Sequence, residues 1–340
     1  MGQMENPLQW ASITPEQNSN RPVDALPVER VPASQLPYAD FLRRYVRANR
    51  PVLIEGAVTQ WAALKTWTPE HFKTHYGDHE VAISYSKTMR MADFVDAVLA
   101  STPSNPGPYM YRLFLHEQLP ELLPDLIPQN VYGYPRRHVS PLMPERWRRP
   151  DGFLKLLMGG PGSKFPIMHF DAENAHAQIT EIYGDKEFVL FSPEDTPYMY
   201  PSPVRPNLSL VDQPYPPNLE KFPLLSEARP WRTVLHPGDM IFVPSGWWHT
   251  ARPLTPSISV CTAILDESNW NGFCQEITAS AAQTPARRAL KLGYLGLLGN
   301  ALKVMESLQE QTPALAKALT FPQKFAPPPH RTLQSPPQIG

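Results

Sequence analysis

The chain has 340 residues, of which 42% are hydrophobic, and 31 Lys plus Arg against 32 Asp plus Glu leave a net charge of -1. That is enough apolar material for one large domain or two ordinary ones, and the balanced charge argues against a whole-chain nucleic-acid binder, which is usually basic. The 42 prolines exclude a helical bundle or coiled coil over most of the length, because Pro breaks helix interiors.

Met1 to Pro27 is polar and reads as a flexible leader without the apolar core of a signal peptide. No apolar run reaches the roughly 18 residues of a membrane-spanning helix. Cys261 and Cys274, the two cysteines, cannot build a disulfide framework for this length, so a cytoplasmic location is expected. From Val28 the text alternates between short helices and strands. Tyr38 to Asn49 carries Phe41, Leu42 and Tyr45 at helical spacing, and Arg50 to Ala57 reads as a buried strand. Thr68-Pro69 is an N-cap followed by Pro at the first helical position, predicting a helix through His71 and His75 that stops near Gly77. Glu80 to Ser86 is a strand candidate, Met91 to Leu99 a helix, Ser101 to Pro108 a loop, Tyr109 to Leu115 a strand and Gln118 to Ile127 a short helix. Arg136 to Arg149 holds five arginines. It reads as a solvated irregular segment, with a basic substrate-facing rim as the alternative.

From Asp151 to Asp266 the pattern changes. FLKLLMGG, HAQITEIY, KEFVLF, RTVLHPGDMIFVP and SISVCTAIL are short apolar or alternating runs, separated by Pro/Gly turns. They predict an antiparallel sandwich or barrel, with Pro197 to Pro230 as an irregular excursion over its surface. Thr284-Pro285 then starts a helix with two apolar stripes. One holds Leu290, Tyr294, Leu297, Ala301, Val304 and Leu308; the other holds Leu295, Leu298, Leu302 and Met305. Such a helix needs partners on two sides: the chain's own N-terminal helices, a second copy, or both. Gly293, Gly296 and Gly299 would admit a close backbone. Pro327 to Gly340 is a polar, Pro-rich tail, expected to be disordered.

The chemistry-bearing text is MHFDAENAH around His169 and GWWHTARP around His249. His169 and Asp171 stand two apart, so on an extended chain both side chains point to one face. His249 follows an apolar run and a PSG turn. Two imidazoles and one carboxylate on one face of a divalent ion leave three open positions, the arrangement of non-haem Fe(II) oxygenases. His176 is a rival ligand, more readily read as lying beside the metal or facing substrate. Asn174 and Trp248 are grouped with it, although Trp247 and Trp248 also suit packing at the barrel rim. The spacing of His71, His75 and His79 suits a solvated helix face better than a zinc site.

These blocks resemble the cupin-like, JmjC-type Fe(II)/2-oxoglutarate-dependent oxygenases. The resemblance lies in H-F-D at His169 to Asp171, ITEIYGDKEFVLFSP at Ile179 to Pro193 and HPGDMIFVPSGWWHTA at His236 to Ala251, in the family's order. NRPVLIEGAVTQW at Asn49 to Trp61, the block from Trp67 to Phe72 and YMYRLFL at Tyr109 to Leu115 extend it over roughly Val28 to Trp270. It implies a mainly β fold with flanking helices. The barrel would be a double-stranded β-helix of the jelly-roll type, between N-terminal α/β elements and C-terminal helices. The corresponding division is a leader at 1–27, an oxygenase domain at 28–270, a helical region at 271–322 suited to dimerisation, and a tail at 323–340.

The resemblance also implies Fe(II) held by His169, Asp171 and His249, with 2-oxoglutarate and O2 as cosubstrates. Lys186 maps onto the cation that pairs with the far carboxylate of 2-oxoglutarate, helped by a hydroxyl from Tyr111 or Thr180. The alternative for Lys186 is a turn residue reaching into water. Pro166 stands where relatives often have Thr, and Cys261 with Thr262 where they often have Asn or Thr. The activity implied is hydroxylation of a C–H bond in a peptide or protein side chain or an amino-acid-derived small molecule. A tRNA-base hydroxylase, an N-demethylase and a non-enzymatic cupin-like binding protein remain alternatives.

Overall fold

The computed structural model describes residues 25–84, 86–133, 137–138, 140, 142–148, 154–163, 165, 167–212, 214–279 and 284–311. Most of the leader, the tail, Lys164, Pro166, Arg136 and Arg149 lie outside the described residues.

The N-terminal part runs β1 (Leu26–Pro27), β2 (Arg30–Pro32), α1 (Tyr38–Phe41), β3 (Val52–Glu55), α2 (Ala63–Thr66) and α3 (Pro69–Tyr76). It continues through β4 (Glu80–Ala82), β5 (Thr88–Arg90), α4 (Met91–Leu99), β6 (Tyr109–Phe114) and α5 (Leu115–Gln118). The barrel strands are β7 (Lys155–Gly159), β8 (His176–Tyr183), β9 (Lys186–Phe191), β10 (Trp231–Leu235), β11 (Met240–Val243), β12 (Trp248–Pro253) and β13 (Ser257–Ile264). Helices α6 (Trp270–Ile277) and α7 (Pro285–Gln311) close the described chain.

Local signals act as read. Thr68 accepts from the His71 backbone N–H with Pro69 opening α3, which satisfies one orphan donor of the first turn. The stretch after α1 departs from a regular α-helix and continues as a π turn over Leu42–Val46. The segment read as a helix from Gln118 onward is a 3-10 run, Pro120–Leu126, interrupted by Pro124; that ring has no N–H for an α ladder.

Two sheets face each other. The smaller has the order β1-β10-β9-β12, and the larger β2-β3-β11-β8-β13-β7-β6. Apart from the parallel pairs β1–β10 and β2–β3, their ladders are antiparallel. Leu53, Leu157, Ala177, Ile179 and Ile241 of the larger sheet meet Phe188, Leu190, Leu235 and Ala251 of the smaller in one core. A second core covers the outer face of the larger sheet: Trp67, Phe72, Met91 and Phe94 lie on Met158, Ile182 and Val260. Strand β8 is therefore buried on both faces along nearly all its length, as strands between two layers are.

The C-terminal helix divides its stripes. Leu295, Leu298 and Leu302 are buried with Trp270 and Phe273 of α6. Leu290, Tyr294, Leu297, Val304 and Leu308 are exposed. Of the three glycines, Gly299 alone lies under a neighbour, where a Cβ would come within 2.4 Å of Trp270 Nε1; Gly293 and Gly296 face open space.

Within the arginine-rich segment Arg148 is exposed, as expected of a solvated stretch, but Arg137 departs from that expectation. Arg137 is 1% exposed, forks onto the two Glu306 oxygens of α7 at 2.9 and 3.0 Å, and lies over the Trp270 ring. A buried guanidinium is tolerable because the bidentate carboxylate satisfies it. Arg137→Ala is expected to lose about 3–5 kcal/mol of stability and to loosen α7, read as a lower denaturation midpoint and faster proteolysis within 285–311.

Candidate metal centre

His169 and His249 face each other across a short antiparallel bridge, each accepting the other's backbone N–H, at 2.7 and 3.1 Å. Their ring centroids are 4.3 Å apart. His169 Nδ1 lies 3.0 Å from the Ile167 carbonyl, and His249 Nδ1 3.0 Å from the Trp247 carbonyl. Both carbonyls demand a proton on Nδ1, so each Nε2 is left as a lone-pair donor; such outer contacts fix tautomer and ring orientation at metal sites. Asp171 Oδ1 stands 3.8 Å from His169 Nε2. One ligand atom from each of His169, Asp171 and His249 lies within 4.8 Å of the others. Desolvation, reinforced by His249, pushes the His169 pKa down to about 4, so the imidazole is neutral and ready to ligate. The donor set, two imidazoles with Nε2 free to ligate and a carboxylate on one side, fits Fe(II) with positions left open.

The strand alternation of β12 sends His249 and Ala251 into the barrel and Trp248 to the outside. Trp248 is wholly buried there, edge-on to Phe170 with its indole N–H donating to Thr196. It holds the surface excursion against the smaller sheet and lines no metal site. Trp247 sits at the barrel rim and donates to the Asn49 carbonyl.

Lys186 shares the inward face of β9 with Phe188 and Leu190 and has no exposed surface. Its placement depends on the turn before it, where Gly184 has φ +75° and an added Cβ would collide with the Pro256 carbonyl. Lys186 Nζ donates to Ser259 Oγ and lies 3.8 Å from Glu181 Oε2, which is equally buried. Burial works against the ammonium, but the Glu181 carboxylate and Tyr109 outweigh it and raise its pKa.

The two hydroxyl candidates separate. Tyr111 packs on Phe165, whose ring stacks on His169 at 4.7 Å, so Tyr111 borders the triad. Thr180 does not share the Lys186 chamber. It stands on the opposite face of β8 from Ile179 and Glu181, and accepts from Gln178 Nε2. Tyr109, one inward position before Tyr111 on β6, is the phenol beside Lys186: its ring centroid is 5.5 Å from Nζ.

His176 is corrected in the same way. On the outward face of β8 it is 1% exposed, accepts the Ser245 N–H on Nδ1 at 2.8 Å, and reaches Ser268 Oγ through Nε2 at 2.9 Å. It steadies the turn leading to His249 and touches no metal ligand. Asn174 donates to the Asn269 carbonyl and seats against Gly272, clamping α6.

Three residues that sequence reading did not single out lie around Lys186. Glu181, Ser259 and Tyr109 surround Lys186. Cys261 interacts electrostatically with Lys155, Asp171 and Lys186, and burial pushes its thiol up to about 11, so it offers no thiolate beside the candidate triad. Charged residues sharing a strand face with apolar ones, Glu181 with Ala177 and Ile179 in HAQITEIY and Lys155 in FLKLLMGG, were the available signal.

A cupin-like domain model matches residues 38–264, two thirds of the chain. The chain belongs to the cupin-like domain family. Among curated proteins, this member is 27% identical over 287 residues to "Lysine-specific demethylase JMJ21" of Arabidopsis thaliana, covering 80% of the chain and 28% of that protein. It is 28% identical to "Lysine-specific demethylase 8" of Danio rerio, covering 69% and 58%. It is 25% identical to the human "Bifunctional peptidase and (3S)-lysyl hydroxylase JMJD7", covering 66% and 82%. The chain thus spans little more than half, or less, of the demethylases it matches. The His169–Asp171–His249 cluster falls within the matched family region. Among the described residues, no helix is long and apolar enough to cross a membrane.

Proposed function

We propose that this chain is an Fe(II)- and 2-oxoglutarate-dependent oxygenase that hydroxylates a C–H bond of a peptide or protein side chain or of an amino-acid-derived molecule. The observation that carries the reading is the convergence of His169, Asp171 and His249 in the same barrel as a fully buried lysine. Bound iron would supply O2 activation, with one oxygen atom ending in substrate and the other in succinate, as 2-oxoglutarate loses CO2. The chain's own residues orient and exclude. The two Nδ1 contacts aim the imidazoles, Phe165 and Tyr111 wall the triad with aromatic surface, and Lys186 offers a desolvated positive charge. Asp171, with 32% of its side chain exposed, is the most open of the three ligands and marks the side from which substrate approaches.

Curated relatives named as lysine and arginine demethylases favour a second reading, oxidation of an N-methyl carbon, which releases formaldehyde. A tRNA-base substrate is disfavoured mainly by the net charge of -1, and Arg137 of the arginine-rich segment is paired with Glu306. The unpaired Cys261 and Cys274 suit a reducing, cytoplasmic setting. The test is Fe(II)-dependent conversion of 2-oxoglutarate to succinate, with candidate peptides followed by mass spectrometry. Gain of one oxygen atom supports hydroxylation, loss of a methyl group supports demethylation, and absence of iron binding supports the non-enzymatic binding protein.

The exposed α7 stripe is proposed to pair with a second copy. Leu290, Tyr294, Leu297, Val304 and Leu308 recur at helical spacing and lie in water in the single chain, an arrangement that costs solubility unless covered. Leu297→Glu is expected to convert a dimer to a monomer in sedimentation while preserving the fold; a wild-type monomer would rule the pairing out.

A further inference from the structure

The inner end of the barrel contains more polar capacity than the protein itself uses. Glu181 Oε1 accepts from Ser257 Oγ at 2.6 Å, but Oε2 makes no hydrogen bond although it is wholly buried. Tyr109 Oη is likewise buried without a hydrogen-bond partner. Lys186 Nζ, with three protons to donate, gives one to Ser259 and stands 3.8 Å from Glu181 Oε2. Orphaned buried polar atoms cost free energy and call for an explanation. Two beside one ammonium that has donors to spare point to a guest that accepts several hydrogen bonds, and a carboxylate has about four lone-pair sites.

We propose that Glu181 in its protonated form is a third member, with Lys186 and Tyr109, of the subsite for the far carboxylate of 2-oxoglutarate, so that binding the cosubstrate draws one proton from solvent onto Glu181 Oε2. This rests on the oxygenase reading above. The chemistry follows from charge. An ionised Glu181 would repel an incoming carboxylate at this buried position and would compete for Lys186. A neutral Glu181 does neither. With Oε1 engaged by Ser257, its proton sits on Oε2, directed at the guest. Desolvation already pushes the Glu181 pKa up to about 7, against the opposing pull of Lys186 and the serines, and an adjacent anion pushes it further in the same direction. The groups facing Glu181 are Lys186 on β9, Tyr109 on β6, Ser257 and Ser259 on β13, and Asp185 in the turn, with Cys261 further along β13.

The sign is fixed by linkage. Below the pKa of the free protein Glu181 already holds its proton, and affinity is flat. Above it each pH unit weakens binding by up to tenfold until the pKa of the complex is reached. The test is calorimetric titration of the Mn(II)-loaded full chain with 2-oxoglutarate at pH 6 and pH 8, each in two buffers of different ionisation enthalpy. Uptake approaching one proton per 2-oxoglutarate at pH 8, near zero at pH 6, is expected for the wild type. Glu181→Gln, which keeps a neutral donor, should bind about tenfold tighter than wild type at pH 8, about equally at pH 6, and without proton uptake. Binding with no proton uptake at pH 8, or uptake that persists in Glu181→Gln, overturns the assignment while leaving the oxygenase reading intact. Absence of 2-oxoglutarate binding at both pH values in wild type and variant overturns that reading, and this inference with it.

Discussion

His169→Ala and Asp171→Ala are each expected to abolish stoichiometric Fe(II) or Mn(II) binding and to reduce 2-oxoglutarate turnover by more than ~100-fold, since loss of outer partners alone costs metal sites 10–100-fold. The fold should survive both changes. The His169–His249 bridge is made by backbone atoms and persists in the alanine variant. Asp171 makes no side-chain cap on the 3-10 turn that follows it. Titration with Mn(II), read alongside far-UV circular dichroism, separates a lost site from a lost fold. Retained stoichiometric binding with unchanged affinity in either variant would remove that residue from the ligand set.

Lys186→Ala carries the second large effect. A hydrogen bond to a charged group contributes about 1.5–3 kcal/mol, so the concentration of 2-oxoglutarate needed for half-saturation should rise at least about tenfold while metal binding holds. The same change leaves Glu181 buried without its cation. A carboxyl whose folded pKa lies above its unfolded one holds its full contribution to stability below the unfolded pKa and loses it as pH rises through the folded pKa. In the wild type that window runs from about 4.5 to about 7. In Lys186→Ala its upper limit moves higher, so the variant should be increasingly less stable than wild type as pH rises from 7 to 9. Parallel pH–stability curves, together with an unshifted cosubstrate requirement, would deny Lys186 both roles.

The triad was legible because its geometry is local. An H-x-D pair on extended chain must share a face, and the PSG turn delivers His249 at the start of a strand. The burial of Lys186 was legible for a related reason: a cation opening a strand that is apolar from Phe188 onward and facing a barrel interior needs an anion. The errors concentrate on β8. Alternation tells inside from outside only when one face is wet, and here the N-terminal helices bury the outer face as thoroughly as the barrel buries the inner one. Alternation alone therefore did not separate Thr180 and His176, on the outer face, from the inward Ile179 and Glu181. Arg137 was misread because its partner, Glu306, is 169 residues away; nothing in the local text of the arginine-rich stretch announces a pairing that only the docking of α7 creates. Tyr109 and Tyr111 share a strand face, and only the tertiary position of Lys186 distinguishes them.

The most direct measurement is a crystal structure of the chain with Mn(II) and an inert 2-oxoglutarate analogue, read by anomalous scattering. The expected result is one metal ion bound by His169 Nε2, His249 Nε2 and an Asp171 oxygen, with the analogue's far carboxylate on Lys186. A metal bound elsewhere, or an analogue outside the barrel while Lys186 keeps Glu181 as its sole anion, would contradict the oxygenase assignment.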